Sequence, residues 1–256
     1  MKSNIVIKIF GLVLLLISSN SWRSTNLTEI SEVLKQADFY RGGQVPGVTW
    51  GLTVQNIEKG TLKSEIGLLV EAASDDDSQY VLITFLEPRK YIGQKLLVRD
   101  NSMWFVRKGL RNPVPISSRQ RLTGSAANAD VSTANYYKDY SIKNYEEVVF
   151  KDAECWLLTL EANNNLVSYP TVKYYITKKE NFGIYAQYYG KSGKQIKEAY
   201  FKYENKVIYN GKEQPYISGV EIVDNINKED KTLLNIAPAE FRSFNNSKFQ
   251  KDRLLD

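Results

Sequence analysis

Apolar residues along the chain recur first at helical spacing and then, from Val48 onward, at every second position. Leu27, Ile30, Val33, Leu34 and Ala37 mark one face of an amphipathic helix. Asn26 stands before it with Glu29 three residues on, a capping-box-like start in which a side-chain oxygen satisfies an orphan N–H of the first turn. The run "RGGQVPG" ends the helix. Period-two segments follow: "GVTWGLTVQNIE", "TLKSEIGLLVEAA", "QYVLITFLEP", "KLLVRD" and "SMWFVRK", separated by turn residues at Lys59-Gly60, at Ser74 to Ser78 and at Pro88 to Gly93. Strands resume at "SIKNYEEVVFKD" and run through "KTLLNIAPAEF", with hairpin punctuation at Lys151-Asp152, at Lys191 to Gly193 and at Asn210-Gly211. Roughly eleven to thirteen short strands with hardly any helix between them predict one antiparallel sheet curved into a barrel or a sandwich.

Between the two strand series lies "WFVRKGLRNPVPISSRQRLTGSAANADVS", Trp104 to Ser132, with no acidic residue between Asp100 and Asp130. A connection of this length in a compact domain is a lid, a binding loop or a disordered segment. Within it, Ser117 to Leu122 and Val131 to Tyr137 are each expected to form a short helix, bounded by Pro115, Gly124 and Asp130. Pro113 and Pro115 fix φ and stiffen its entry.

Several strands are apolar or aromatic on both faces. In "ECWLLTL", Cys155 and Leu157 point one way while Trp156, Leu158 and Leu160 point the other, and tyrosines fall on both sides of "VKYYITK" and "FGIYAQYY". Both faces therefore require cover. Two arrangements satisfy this: a two-layer core with tyrosines on a wet face, or a sheet whose second face surrounds a cavity.

Composition narrows the chemistry. The chain contains no histidine, which removes histidine-based nucleophilic catalysis and histidine metal sites. Its single cysteine, Cys155, lies in a strand pattern and reads as a packed core thiol. No zinc spacing, calcium loop or phosphate-binding glycine loop occurs, and Asp75 to Asp77 read as a solvated turn. No catalytic residue, cofactor or metal is assigned, although paired carboxylates across a cleft stay open from sequence alone. The opening residues resemble a secretory signal, with Lys2 and Lys8 preceding the apolar "IFGLVLLLI" and the small residues of "SSNSW", so that cleavage near Ser21 or Trp22 is expected. The formal charge of +5 falls to +3 when Lys2 and Lys8 leave with that segment, too small a balance to suggest nucleic acid.

The order of these features resembles a known family. "ADFYRG", "TVQN", "FLEPRKYIGQKLLV" and "MWFVRKGLRNPVPISSRQRLTGSAANADVS", followed by "CWLLTLEA", "YYITKK" and "YYGKSGKQIKEAYF", are similar to the outer membrane lipoprotein-sorting proteins, the larger relatives of the periplasmic lipoprotein carrier. The resemblance implies a mainly β fold for residues 22–256 after a signal peptide at 1–21. That fold is a single strongly curved antiparallel sheet, a half-open β-barrel, with an N-terminal helix and a helical or loop lid, about 107–138, over the concave face. It further implies a periplasmic, non-enzymatic carrier or chaperone of a Gram-negative bacterium. Such a protein holds acyl chains of a lipoprotein or another lipid, is loaded by an inner-membrane transporter, and is expected to be a monomer. A sensor or adaptor that binds a membrane protein partner is the alternative use of the same fold. On this reading Trp50, Phe85, Leu86, Leu97, Trp104, Phe105, Trp156, Leu158 and Tyr175 are the expected lining of a large apolar cavity. Ile116 and Leu122 are the expected apolar contacts of the lid, with Arg107, Arg111, Arg119 and Arg121 at its rim, where a guanidinium is suited to a phosphate or carbonyl headgroup.

Overall fold

The structure, a computed structural model, describes residues 26–75, 78–132 and 135–254. The expected signal segment, residues 1–21, lies outside the described residues. Helix α1 spans Leu27–Phe39, and the Asn26 side chain accepts from the Glu29 N–H at 2.9 Å, a cap that contributes about 1 kcal/mol in helices of this kind. Ile30, Leu34 and Ala37 are its buried face.

The strands run β1 (Val48–Glu58), β2 (Thr61–Ser74), β3 (Gln79–Glu87), β4 (Lys95–Arg99), β5 (Ser102–Val106) and β6 (Val114–Ile116). A small hairpin, β7 (Arg121–Thr123) and β8 (Ala126–Ala127), precedes a single 3-10 turn at Asn128–Val131 and helix α2, Tyr136–Asp139. Then come β9 (Tyr140–Phe150), β10 (Ala153–Ala162), β11 (Thr171–Thr177), β12 (Gly183–Tyr189) and β13 (Gln195–Lys202). The chain ends with β14 (Asn205–Tyr209), β15 (Lys212–Tyr216), β16 (Gly219–Asp224), β17 (Lys231–Ile236), β18 (Glu240–Phe241) and two 3-10 turns, Asn246–Phe249 and Lys251–Arg253. Three hairpins turn where the sequence predicts them. Lys59 and Gly60, Lys151 and Asp152, and Asn210 and Gly211 all have positive φ, the twist-matched form that two-residue turns favour.

Two local expectations are corrected. Ser117 to Leu122 is not a helix: it turns over at Ser117–Gln120, where the Gln120 N–H meets the Ser117 carbonyl at 3.1 Å, and enters β7. The helix expected over Val131 to Tyr137 begins instead at Tyr136, because the Asn135 side chain caps it by accepting from the Lys138 N–H at 3.2 Å.

One 14-stranded antiparallel sheet dominates, in the order β6-β5-β4-β3-β2-β1-β17-β16-β13-β12-β11-β10-β9, with β18 paired to β1. It is open: its two edges are β6 and β9. These edges are neighbours in sequence, so the chain between them, residues 117–139, must pass from one side of the sheet to the other. Pro113 and Pro115 sit at the β6 edge, where a missing N–H costs no ladder bond.

The concave face carries the main core. Trp50, Leu52 and Val54 of β1, Ile66, Leu68 and Val70 of β2, and Val81, Ile83 and Phe85 of β3 pack with Leu158, Leu160, Val172, Tyr174 and Ile176 from the other half. The β14–β15 hairpin closes one end against α1, with Phe39 and Tyr209 rings 5.0 Å apart. On the convex face a second cluster joins Ala73, Leu82, Leu97 and Val106 to Phe249 and Leu254 of the C-terminal turns. Lys248 fixes that tail by donating to Glu71 at 2.5 Å. The double-sided apolar character of β2 to β5 is thus met by the crossing segment and α1 on one face and by the C-terminal tail on the other.

Candidate functional site: the covered concave face

Residues 117–132 and 135–139 cross the concave face in three stages, each anchored to a different part of the sheet. The β7–β8 hairpin comes first. Thr123 Oγ1 lies 2.9 Å from Ser64 Oγ on β2, and the Ser125 N–H donates to Thr232 Oγ1 on β17 at 2.9 Å. Gly124 has φ +51°, and a Cβ there would collide with the Asn56 and Thr232 side chains, so only glycine allows the hairpin tip to lie this close to the strands. Leu122 packs against the main core, as does Ile116 just before the crossing.

In the second stage Asp130 pairs with Lys197 of β13, both almost fully buried. Asp130 also accepts from the Ala127 N–H at 2.7 Å and from Tyr169 Oη at 3.1 Å. The Lys197 ammonium lies 4.6 Å from the Tyr169 ring centroid and 5.2 Å from that of Tyr188. Desolvation pushes its pKa below the ordinary lysine value, and Asp130 opposes that shift.

The third stage docks α2. Tyr136 Oη is 2.9 Å from Tyr188 Oη, and Gln44 donates to Asn135 Oδ1 at 2.6 Å. The Tyr137 N–H donates to Asp38 Oδ2 at 2.7 Å, while Asp38 Oδ1 is buried without a partner. Burial raises the Asp38 pKa from 3.8 to about 7, against the Tyr137 hydrogen bond and the Arg41 charge, which lower it. Burial likewise lifts Asp139 to about 6.

Between the sheet and this cover lies a cavity of about 110 Å³. Val81, Val98, Met103, Val220 and Ile222 supply an apolar wall from four strands, Tyr136, Tyr140, Tyr169 and Tyr188 supply hydroxyls, and Arg41 enters from just beyond α1. Arg41 Nη1 donates to Tyr174 Oη at 3.0 Å, and its guanidinium carbon lies 4.3 Å from the Phe201 ring centroid and 5.0 Å from that of Tyr136.

None of the nine residues expected to line a cavity lines this one. Trp50, Phe85 and Leu158 are buried in the concave core, where Phe105 and Trp156 are partly buried against it. Leu97 and Trp104 face the opposite, convex side beneath the C-terminal tail. Tyr175 packs in tilted ring pairs with Phe150 and Tyr185, at 5.0 and 5.1 Å, and Leu86 is 47% exposed. The error in β4 and β5 is one residue of alternation: the inward positions are Leu96, Val98, Met103 and Phe105. Among the described residues, side chains of the main core fill much of the concave face, and the cavity beneath the cover is about 110 Å³.

The four arginines of the crossing region are exposed. Arg119 spends its guanidinium on the carbonyls of Ser168, Asn165 and Val167, at 2.7, 3.1 and 2.8 Å, and so ties the cover to the β10–β11 loop. Arg121 borders a separate shallow polar pocket with Asn56, Glu58, Asp224 and Asp230. Sequence reading missed Arg41, Asp130 and Lys197. Lys197 carries a usable signal, since it shares its strand face with Ala199 and Phe201.

An open antiparallel sheet with its concave face bridged by the chain that joins its edges is a lipoprotein-carrier-like half-barrel. The fold matches a LolA superfamily protein from Nitrosomonas europaea, with a TM-score of 0.74 and 21% identity over 86% of this chain and 97% of that one. It also matches a putative outer membrane lipoprotein-sorting protein domain from Vibrio parahaemolyticus, at 0.71 and 16% over 88% and 98%. A DUF1329 family protein from Desulfovibrio piger matches at 0.70 and 14% over 88% and 97%. The chain belongs to the family whose model, described as "-like: Uncharacterized protein", matches residues 77–256. No curated protein matches the sequence.

Two outcomes follow from the anchors. Lys197→Met leaves Asp130 buried without its cation and should lower unfolding stability by about 3–5 kcal/mol, whereas Lys197→Met with Asp130→Leu should recover much of that loss; urea unfolding of the three proteins reads the difference. For Asp38 the folded protein holds a proton that the unfolded chain releases near pH 3.8, so stability falls as pH rises from there to about 7 and then levels. Asp38→Asn, which cannot ionise, should show a shallower decline in Tm across that window; an identical slope would contradict the assignment.

Proposed function

We propose that this protein is a periplasmic carrier that receives acyl chains of a lipoprotein or another lipid between the curved sheet and the segment 117–139, and hands them between membranes without covalent chemistry. The observation that carries this reading is the crossing segment itself: a cover joined to both sheet edges, fastened by a small set of polar contacts, over an apolar wall. The likeness in fold to lipoprotein-sorting and LolA superfamily proteins supports it, as does the signal-like start of the chain.

The magnitudes define the task. Each buried methylene is worth about 0.8 kcal/mol, so one long acyl chain represents on the order of 10 kcal/mol and does not leave a bilayer unaided at useful rates. Uptake therefore needs an apolar receiving surface and a membrane partner that delivers the lipid. Ligand pockets usually measure about 300–1,000 Å³, and the 110 Å³ present here is the volume expected of a closed, unloaded carrier on this reading. Loading lifts the cover and places the lipid against the cavity wall of Val81, Val98 and Met103. The rim arginines Arg107, Arg111 and Arg121 remain at the edge, where headgroups emerge. The same chain acts as a monomer on this account.

Native mass spectrometry after incubation with a synthetic acylated lipopeptide tests this directly. The expected result is a retained lipopeptide, photocrosslinking of its chains from positions 116 and 122, and several-fold faster uptake by Arg119→Ala, which loses the clamp on the 165–168 carbonyls. Protein that stays free of lipopeptide and of every diacyl lipid offered would overturn the proposal.

A further inference from the structure

The carrier reading concerns acyl chains; the polar end of the cavity says something about the other end of the ligand. Arg41 lies at that end as a permanent cation. Its hydrogen-bond partners among the described residues are neutral phenols, Tyr174 at 3.0 Å and Tyr136, and its Nε is sealed from solvent with no acceptor. No carboxylate of the described residues lies within ion-pair distance of it. The four acids nearby are otherwise engaged: Asp130 is matched by Lys197, Asp100 pairs with Lys138 at 3.9 Å, Asp139 accepts from Asn101 at 3.3 Å, and Asp38 accepts from the Tyr137 N–H. Contacts with the rings of Tyr136, Tyr174 and Phe201 lower the cost of placing the guanidinium here, but they supply no lone pair to its remaining donors. A buried fork with unused N–H groups at one end of an apolar wall has the chemistry of a receptor for an oxyanion.

We propose that Arg41 recognises the anionic head, a carboxylate or phosphate ester, of a single-chain amphiphile whose tail lies along Val81, Val98, Met103, Val220 and Ile222. The inference rests on the carrier reading and narrows its ligand class. Tyr136 and Tyr188, whose hydroxyls meet beside Arg41, provide neutral donors for the same head, and Lys197 cancels the charge of Asp130 in the cavity lining. The small closed volume admits a head and the first part of a chain, so a single-chain ligand enters with less movement of the cover than a multi-chain lipid requires.

The test uses the full mature chain at neutral pH and compares palmitate, hexadecyl phosphate, uncharged hexadecanol and inorganic phosphate by competition against a neutral fluorescent acyl probe. Palmitate and hexadecyl phosphate are expected to bind at least tenfold more tightly than hexadecanol, with inorganic phosphate ineffective. Arg41→Gln should abolish the preference, bringing palmitate and hexadecyl phosphate to the same affinity as hexadecanol in that variant, and Arg41→Lys should keep part of it. Equal binding of acid and alcohol to the unaltered protein needs no variant to interpret and would overturn the inference. So would Arg41→Gln that keeps the preference, or inorganic phosphate competing as well as the amphiphiles, which would indicate a free-anion site. If acylated lipopeptide is carried but head charge has no effect, the carrier reading stands and this inference alone fails; if no amphiphile binds, both fail.

Discussion

The whole arrangement depends on a constraint of connectivity. The two edges of the sheet, β6 and β9, follow one another along the chain among the strands of that sheet, with only the separate β7–β8 hairpin and α2 between them, so the segment between them has to cross the mouth of the half-barrel. A connection that ran around the outside would leave the concave row of valines, leucines and isoleucines in water, at about 25 cal/mol for each Å² of apolar surface. Crossing covers that face, and it also makes the cover dependent on whatever fastens it at midspan. The fastening is polar: Asp130 to Lys197, Tyr136 to Tyr188, Ser125 to Thr232 and Asp38 to Tyr137.

On the proposed function, polar fastening over an apolar wall would allow such a cover to lift. Continuous side-chain interdigitation would make opening as costly as unfolding a core. Hydrogen bonds exchanged for water contribute about 0.5–1.5 kcal/mol each, so a limited number of them can be released together when a lipid replaces the apolar contacts. The buried ion pair is the most expensive to separate and sits near the middle of the span, whereas Arg119 holds the exposed end to the 165–168 carbonyls. Opening from the Arg119 end, with the Asp130–Lys197 pair as the inner hinge point, is the order these magnitudes favour.

Strands, turns and the first helix were legible in the sequence because local rules govern them. Asn26 caps α1, and Lys59-Gly60, Lys151-Asp152 and Asn210-Gly211 turn their hairpins. Face assignment was not legible for β4 and β5. Leu96 and Leu97, and Met103 and Trp104, are apolar in adjacent positions, and alternation cannot choose between faces when both are covered, here by the C-terminal tail as well as by the crossing segment. The tail's role was hidden because Phe249 and Leu254 lie in a polar stretch without periodicity. The buried charges were hidden for a different reason: Arg41 follows a helix end and Asp130 lies in a loop, both ordinary places for solvated residues, and only the fold brings them under the cover. The short helix expected at Ser117 failed because β7 gains its partners from β8 and from Ser64.

The central claim is that segment 117–139 moves away from the sheet when lipid is taken up. Spin labels at Gln120 on the cover and Lys228 in the β16–β17 turn, with Cys155 replaced by alanine, report that distance by pulsed electron resonance. The account predicts one short distance in lipid-free protein and a longer population that grows with bound acyl lipid. An unchanged distance in protein shown by mass to carry lipid would contradict it.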